Sequence, residues 1–244
     1  IAEKIIKIYK QLQHTRREQD VLKRQLTQNI AHELKTPVAS IQGYLETILD
    51  NPNVDDAMRQ QFLERCYAQS QRLTSLLQDI STLNKMDDGV QMMDFTDVDV
   101  AQLVAGIAKT TALQLEQKGM KAVVDLPERL IIHGNQSLLY SIFRNLTDNA
   151  IAYAGEGTTI QLSAHDEGSQ WRFVFSDNGV GIEPQHLSRI FERFYRVDKG
   201  RSRKMGGTGL GLAIVKNAVG LHGGSITATC PAEGGMRFEF TLNK

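Results

Sequence analysis

The chain has 244 residues, enough for one or two domains, and 28 basic residues balance 28 acidic ones. That neutrality excludes a global field for nucleic acid or an anionic membrane. Cys66 and Cys230 lie far apart and outside any CxxC pattern, which argues against a zinc site or a disulfide framework. No apolar run approaches the roughly 18 residues of a membrane-spanning helix, and no signal peptide is present. The chain opens on Ile1 without Met, so an excised fragment is expected.

Residues 1–28 read as a coiled-coil helix. Ile1, Ile5, Ile8 and Leu12 alternate by four and three, and Leu22 and Leu26 resume that register. Thr15 and Gln19 interrupt the seam with polar groups, so this region suits either a signalling helix that shifts register or a rigid spacer.

Residues 29–86 read as a helical hairpin. Ile30, Leu34, Ile41, Leu45 and Ile48 fall in about one 60° sector of the helical wheel. His32 lies opposite them, Thr36 sits one turn further on the His32 face, and Glu33 is the neighbour. Pro37 has no N–H for the Glu33 carbonyl, so the helix should bend or loosen there. After a turn at Asn51-Pro52-Asn53, Asp55 or Asp56 can cap a second helix. Phe62, Cys66, Gln69, Leu73, Leu76, Ile80 and Leu83 mark its stripe. Two helices with one stripe each close a core poorly alone, so pairing of two hairpins into a dimeric four-helix bundle is expected. Periodicity fails over 84–98, which reads as a hinge, with 87–98 as the linker proper.

Residues 99–244 read as an α+β two-layer sandwich. Asp99 caps a helix with Val100, Leu103, Val104 and Ile107 inward. Strands follow at 121–126 and 130–133. Gly134-Asn135 leads into a helix that buries Leu138, Leu139, Ile142, Phe143 and Leu146. A strand pair turns at Glu167-Gly168, short helices are suggested over 183–195, a helix over 208–221, and closing strands at 225–229 and 235–242.

Within this region Asn145 and Asn149 are one turn apart, and their carboxamides suit Mg²⁺ waters and phosphate. Asp177-Asn178-Gly179-Val180-Gly181 sets a carboxylate beside glycines that let a ring pass. Gly206-Gly207-Thr208-Gly209-Leu210-Gly211 opens a helix, where backbone N–H groups and the helix dipole receive anions. It lacks the Lys-Ser/Thr ending of a P-loop and lies near the end of the chain, which disfavours P-loop and Rossmann readings. Between the two glycine stretches, Phe191-Glu192-Arg193-Phe194-Tyr195-Arg196 precedes Lys199, Arg201, Arg203 and Lys204. That basic run reads as a mobile lid, with Arg196 nearest a γ-phosphate.

His32-Glu33-Leu34-Lys35-Thr36-Pro37 resembles the phosphoacceptor box of bacterial two-component sensor histidine kinases. The asparagine, phenylalanine and two glycine stretches resemble that family's ATP-site boxes, in the family's order. The resemblance implies a HisKA-type homodimer followed by an ATP-binding domain of the GHKL (Bergerat) fold. It implies that His32 takes the γ-phosphoryl group of Mg-ATP, with Glu33 holding or deprotonating the other ring nitrogen. It places Asn145 and Asn149 at Mg²⁺ and the phosphates, Tyr153 against adenine, and Asp177 on the adenine amino group. Gly179 and Gly181 belong to the first glycine box, and Gly207, Thr208, Gly209, Leu210 and Gly211 to the second.

One departure is Ala152, where the family commonly has Lys or Arg. The resemblance further implies transfer to a response regulator receiver domain and, through Thr36, dephosphorylation of that regulator. No nucleic acid is implied. A membrane is implied only through an upstream region, with this stretch the cytoplasmic portion of an inner-membrane protein. Two rivals are a clamp ATPase of the gyrase, chaperone or mismatch-repair type and a dimeric scaffold that binds nucleotide without turnover.

Overall fold

The computed structural model describes the backbone of residues 2–51, 54–87, 93–198 and 207–244. Within the first helix it describes the side chains of Gln13, Arg24 and residues from 26 onward. The coiled-coil seam through Leu22 and the basic lid run 199–204 therefore lie outside the described residues. The chain divides into two units, Ile1–Leu76 and Leu77–Lys244.

The first unit holds helix α1 (Ala2–Asp50) and most of helix α2 (Asp56–Asp87). Asp55 caps α2, its Oδ1 accepting from the Met58 N–H at 2.7 Å. α1 runs on through Pro37 without interruption of the helix. The Thr36 hydroxyl donates to the His32 carbonyl at 3.2 Å and the Ser40 hydroxyl to the Thr36 carbonyl at 3.1 Å. Hydroxyls thus add donors to the turn where the proline withholds one. The facing stripes meet: the Tyr44 and Phe62 rings stack with centroids 5.6 Å apart. Ile30, Leu34, Ile41 and Ile48 are only half-buried, and Leu45 is exposed.

The second unit joins the last turns of α2 to a two-layer sandwich. Strands β2 (Lys121–Asp125), β4 (Thr159–Asp166), β5 (Gln170–Asp177), β7 (Arg237–Asn243) and β6 (Ile226–Thr229) form one sheet in the order β2-β4-β5-β7-β6. Only the β2–β4 pair is parallel. A small second sheet pairs β1 (Thr96–Asp99) with β3 (Ile131–Gly134). β1 falls at the end of the stretch read as irregular; its Thr and Asp residues carry no strand signal, and it forms because β3 supplies a partner.

Helices α3 (Val100–Gln117), α4 (Gln136–Tyr153) and α6 (Gly211–Leu221) bury apolar faces; the one-turn α5 (Pro184–Leu187) buries none. The expected α4 stripe is buried throughout, from Leu138 to Leu146. Phe143 of α4 meets Phe173 edge-on at 5.4 Å, and Phe173 stacks on Phe240 at 5.1 Å, so one aromatic cluster joins helix to sheet. Asp99 caps α3 by accepting from Ala101 and Gln102 N–H, as its position predicts.

A buried histidine ties two helices together. His222 ends α6, its Nδ1 lying 2.7 Å from the Ala218 carbonyl and its Nε2 accepting from the Asn135 N–H at 3.1 Å. Asn135 in turn caps α4, accepting from the Leu138 N–H at 3.1 Å. Only the neutral ring, protonated on Nδ1, satisfies both partners. Burial pushes the His222 pKa down, the Ala218 bond opposing this in part. The unfolded chain therefore takes up a proton that the folded chain resists. Stability is full above the ordinary histidine range, about pH 6.5, and falls as pH drops below it. Urea unfolding followed by Trp171, the chain's single tryptophan, should show that loss between pH 7 and pH 5. His222→Gln should flatten it while costing about 1–3 kcal/mol at pH 8 for the disturbed cap.

Candidate functional site

In the first unit His32 is exposed on α1. Glu33, one residue on, turns inward and ion-pairs with Arg72 of α2 at 3.5 Å. Both side chains are largely buried, at 15% and 11% exposure, so the pair is shielded from the screening that makes surface pairs weak. Thr36 sits one turn from His32 and bonds its carbonyl. Arg72 went unseen in the sequence because it flanks the α2 stripe and its partner lies 39 positions away; nothing local marks it.

In the second unit α4 organises two groups of residues. At its C-terminal end lies the Asp177 loop. Asp177 ends β5, and its Oδ1 accepts from the Gly179 N–H at 2.9 Å and the Met236 N–H at 3.4 Å. It is 9% exposed. Burial pushes its carboxyl above the usual range, and the two backbone bonds offset that only in part. A side chain on Gly179 would run into the Ala154 carbonyl, next to Tyr153. Gly181 has φ +64°, and a Cβ there would meet the Gly235 oxygen at 2.8 Å. These two glycines are therefore required by close backbone packing, and the loop lies directly on the end of α4. Tyr153 closes α4 and is half-buried beside it.

The middle of α4 faces the second glycine stretch. A Cβ on Gly211 would lie 2.6 Å from Asn145 Oδ1. Asn145 Nδ2 donates to the Ser141 carbonyl at 2.8 Å, which turns the oxygen toward Gly211. Asn149, one turn on, is half-buried, and its carboxamide has no partner among the described residues. α6 begins at Gly211, not at Thr208 as the pattern suggested, because Gly209 takes φ +75° and interrupts the helix. No side chain caps α6. Its first N–H groups are left for an anion, at the positive end of the helix dipole.

The aromatic-basic strap closes over this turn. The Phe194 N–H donates to the Gly209 carbonyl at 2.8 Å, and Arg196 Nη2 to the Gly207 carbonyl at 2.8 Å. Phe194 has φ +64°, the one such non-glycine among the described residues. For a bulky residue this conformation is strained, and strain of this kind concentrates at functional sites. Arg196 is thus brought to the second glycine stretch. The distant residues that complete the site, Met236 and Asp79, were not legible: each acts through one bond to a residue more than 50 positions away.

A buried aspartate, two loops made of glycine for contact, and an uncapped helix facing a carboxamide suit a nucleotide-binding α/β sandwich. Comparison with known proteins agrees. Residues 134–244 match the histidine kinase-, DNA gyrase B- and HSP90-like ATPase family, HATPase_c. Residues 22–89 match the His Kinase A phospho-acceptor domain, HisKA. Over 238 residues the chain is 33% identical to the sensor-like histidine kinase SenX3 of Mycolicibacterium smegmatis, covering 98% of this chain and 61% of SenX3. It is 36% identical over 216 residues to the phosphate regulon sensor protein PhoR of Haemophilus influenzae, covering 88% of this chain and 50% of PhoR. The structure of histidine kinase ThkA in complex with response regulator protein TrrA shares the fold at TM-score 0.75 and 20% identity, covering 94% of this chain and 64% of that one. The chain belongs to the sensor histidine kinases, and it spans one half to about three-fifths of these two relatives' length.

Asp177 carries a cost, because burial makes its charged form less favourable in the folded chain than in the unfolded one. Asp177→Asn keeps an oxygen for both backbone donors and removes the charge. It should raise stability at pH 7 by about 1 kcal/mol, an advantage that shrinks toward pH 4 as the wild-type carboxyl protonates. Thermal melts at the two pH values check this.

Proposed function

We propose that this chain is a kinase core that phosphorylates its own His32 from Mg-ATP and passes the phosphoryl group to an aspartate of a response regulator. The observation that carries the reading is the uncapped N-terminus of α6 set against Asn145. Those N–H groups, with Thr208, Arg196 and the glycines Gly207, Gly209 and Gly211, are the place for the phosphates. Asp177 would accept from the adenine amino group and Tyr153 would flank the ring. The free Asn149 carboxamide and Asn145 Oδ1 offer hard oxygen ligands, so they fit Mg²⁺, which when bound neutralises phosphate charge. Ala152 supplies no cation there, and the basic residues 199–204 are candidates to meet the remaining charge.

His32 is suited to its part because it is exposed on α1. In the transfer an imidazole nitrogen forms the N–P bond, the bond from the γ-phosphorus to the bridging oxygen breaks, and ADP leaves. The ring proton on the other nitrogen goes to Glu33 or to water. Arg72 holds Glu33 in a fixed rotamer beside the reacting residue, so Glu33 works as an oriented group and not a freely rotating one. Catalysis then rests on positioning and charge neutralisation, as phosphoryl transfer requires.

A second copy of the chain completes the first unit. Val38, Leu45, Leu49, Met58, Leu63 and Tyr67 are exposed apolar groups on a two-helix hairpin, and pairing two hairpins buries such faces. The response regulator reading is supported by ThkA, whose structure holds the regulator TrrA. Among the described residues no helix is long and apolar enough to cross a membrane. A place as the cytoplasmic part of a membrane sensor follows from the family reading.

Incubation with γ-labelled Mg-ATP should give wild-type protein an acid-labile, base-stable label that His32→Gln lacks. Released phosphate with no labelled protein would instead favour a clamp ATPase. Thr36→Ala should cut dephosphorylation of the regulator at least about tenfold with labelling of His32 retained; equal loss of both activities would contradict a water-orienting role for Thr36.

A further inference from the structure

The last turns of α2 approach the phosphate end of the site within the second unit. Thr208 Oγ1 donates to Asp79 Oδ2 at 2.7 Å. The same oxygen accepts from the Leu210 N–H at 3.2 Å. The contact is thus a relay: backbone N–H at the head of α6, then hydroxyl, then carboxylate. Two turns further along α2, Asp87 receives both Nη atoms of Arg193 at 2.7 and 3.1 Å. Arg193 belongs to the strap that carries Phe194 and Arg196. Both loops of the phosphate site are therefore fastened to one helix by acidic side chains.

Asp79 is an unfavourable place for a charge. Burial raises its pKa, the Thr208 bond offsets part of this, and Asp148 of α4 adds like-charge repulsion. Asp148 is itself engaged by Arg144 at 2.8 Å. What Asp79 gains is the potential at the head of α6, where an anion is favoured and no side chain of α6 supplies one. A polyphosphate seeks that same potential and the same Thr208 hydroxyl. Two anions cannot share it without repulsion in a partly desolvated site.

We infer that Asp79 is an internal competitor for the nucleotide's phosphates, latched on Thr208 in the empty site and displaced when phosphates arrive. This rests on the nucleotide-site reading above. Displacement frees the end of α2, so loading of the site is coupled to the helix that leads into the linker. By linkage the coupling is mutual: whatever holds Asp79 on Thr208 lowers nucleotide affinity by the same factor.

The test is titration of the whole chain with Mg-ATP and, by displacement, with adenosine. Asp79→Asn keeps an acceptor for Thr208 and removes the charge; Asp79→Ser removes both the charge and the reach. Melting curves confirm that each variant folds. Both variants should bind Mg-ATP about three- to tenfold more tightly, with adenosine affinity unchanged because it carries no phosphate. Unchanged or weaker ATP binding in both variants overturns the competitor role, as does an equal gain for adenosine. If wild type fails to bind Mg-ATP and both variants fail as well, the nucleotide-site reading falls and the competitor role with it. Wild-type binding without a variant effect overturns the competitor role alone.

Discussion

The second unit depends on a helix whose first N–H groups must stay unsatisfied by the protein. An uncapped helix start costs stability, and the chain keeps that cost by shaping everything around it without filling it. Gly211 lets Asn145 come within contact of the backbone, where any side chain would stand between them. Gly209 adopts φ +75° so that the chain can turn into the helix and receive Phe194 on its carbonyl. Phe194 pays in strain for the same junction. On the phosphate-site reading proposed above these features serve an anion at α6, and without one each would be a defect that Ser, Thr or Asp at the helix start would mend.

What holds this arrangement open is its two ends being pinned elsewhere. At the far end of α6, His222 bonds the cap of α4, so the helix that faces the phosphates and the helix that carries Asn145 and Asn149 share one anchor. Between them the Phe143, Phe173 and Phe240 cluster fixes α4 on the sheet. The site residues therefore sit on elements whose positions are set by packing, with the loops taking up only the last adjustment. That division suits a reaction governed by placement of charge.

The local part of this design was legible in the sequence. Caps at Asp55 or Asp56 and at Asp99, the turn into α4 at Gly134-Asn135, the α4 stripe, the Glu167-Gly168 hairpin and the hairpin stripes all depend on neighbours three or four positions away, or on alternation. The glycine stretches were legible for the same reason, since each needs its own backbone geometry. The rest depends on partners that no window contains. β1 is a strand only because β3 is beside it. Glu33 read as a neighbour of His32, yet its partner Arg72 is on the other helix. Asp79 carries no local signal in the sequence, and its bonding partner is Thr208, 129 positions on.

Three buried or half-buried acids, Asp79, Asp177 and Glu33, show two different uses of the same chemistry. Glu33 is paired with the Arg72 guanidinium across the hairpin. Among the described residues Asp177 and Asp79 are hydrogen-bonded by neutral donors, and burial raises the pKa of both. Such groups are satisfied best by a ligand, or relieved by leaving. Asp177 stays, since its backbone donors are part of the loop it closes, and a ligand's amino group can complete its bonding. Asp79 is on a helix end held by one hydroxyl, and release into water removes its burden. The same unfavourable desolvation therefore makes one carboxylate a receptor and the other a latch. Which it becomes is set by whether its partners are fixed backbone or a hydroxyl that an incoming anion can claim.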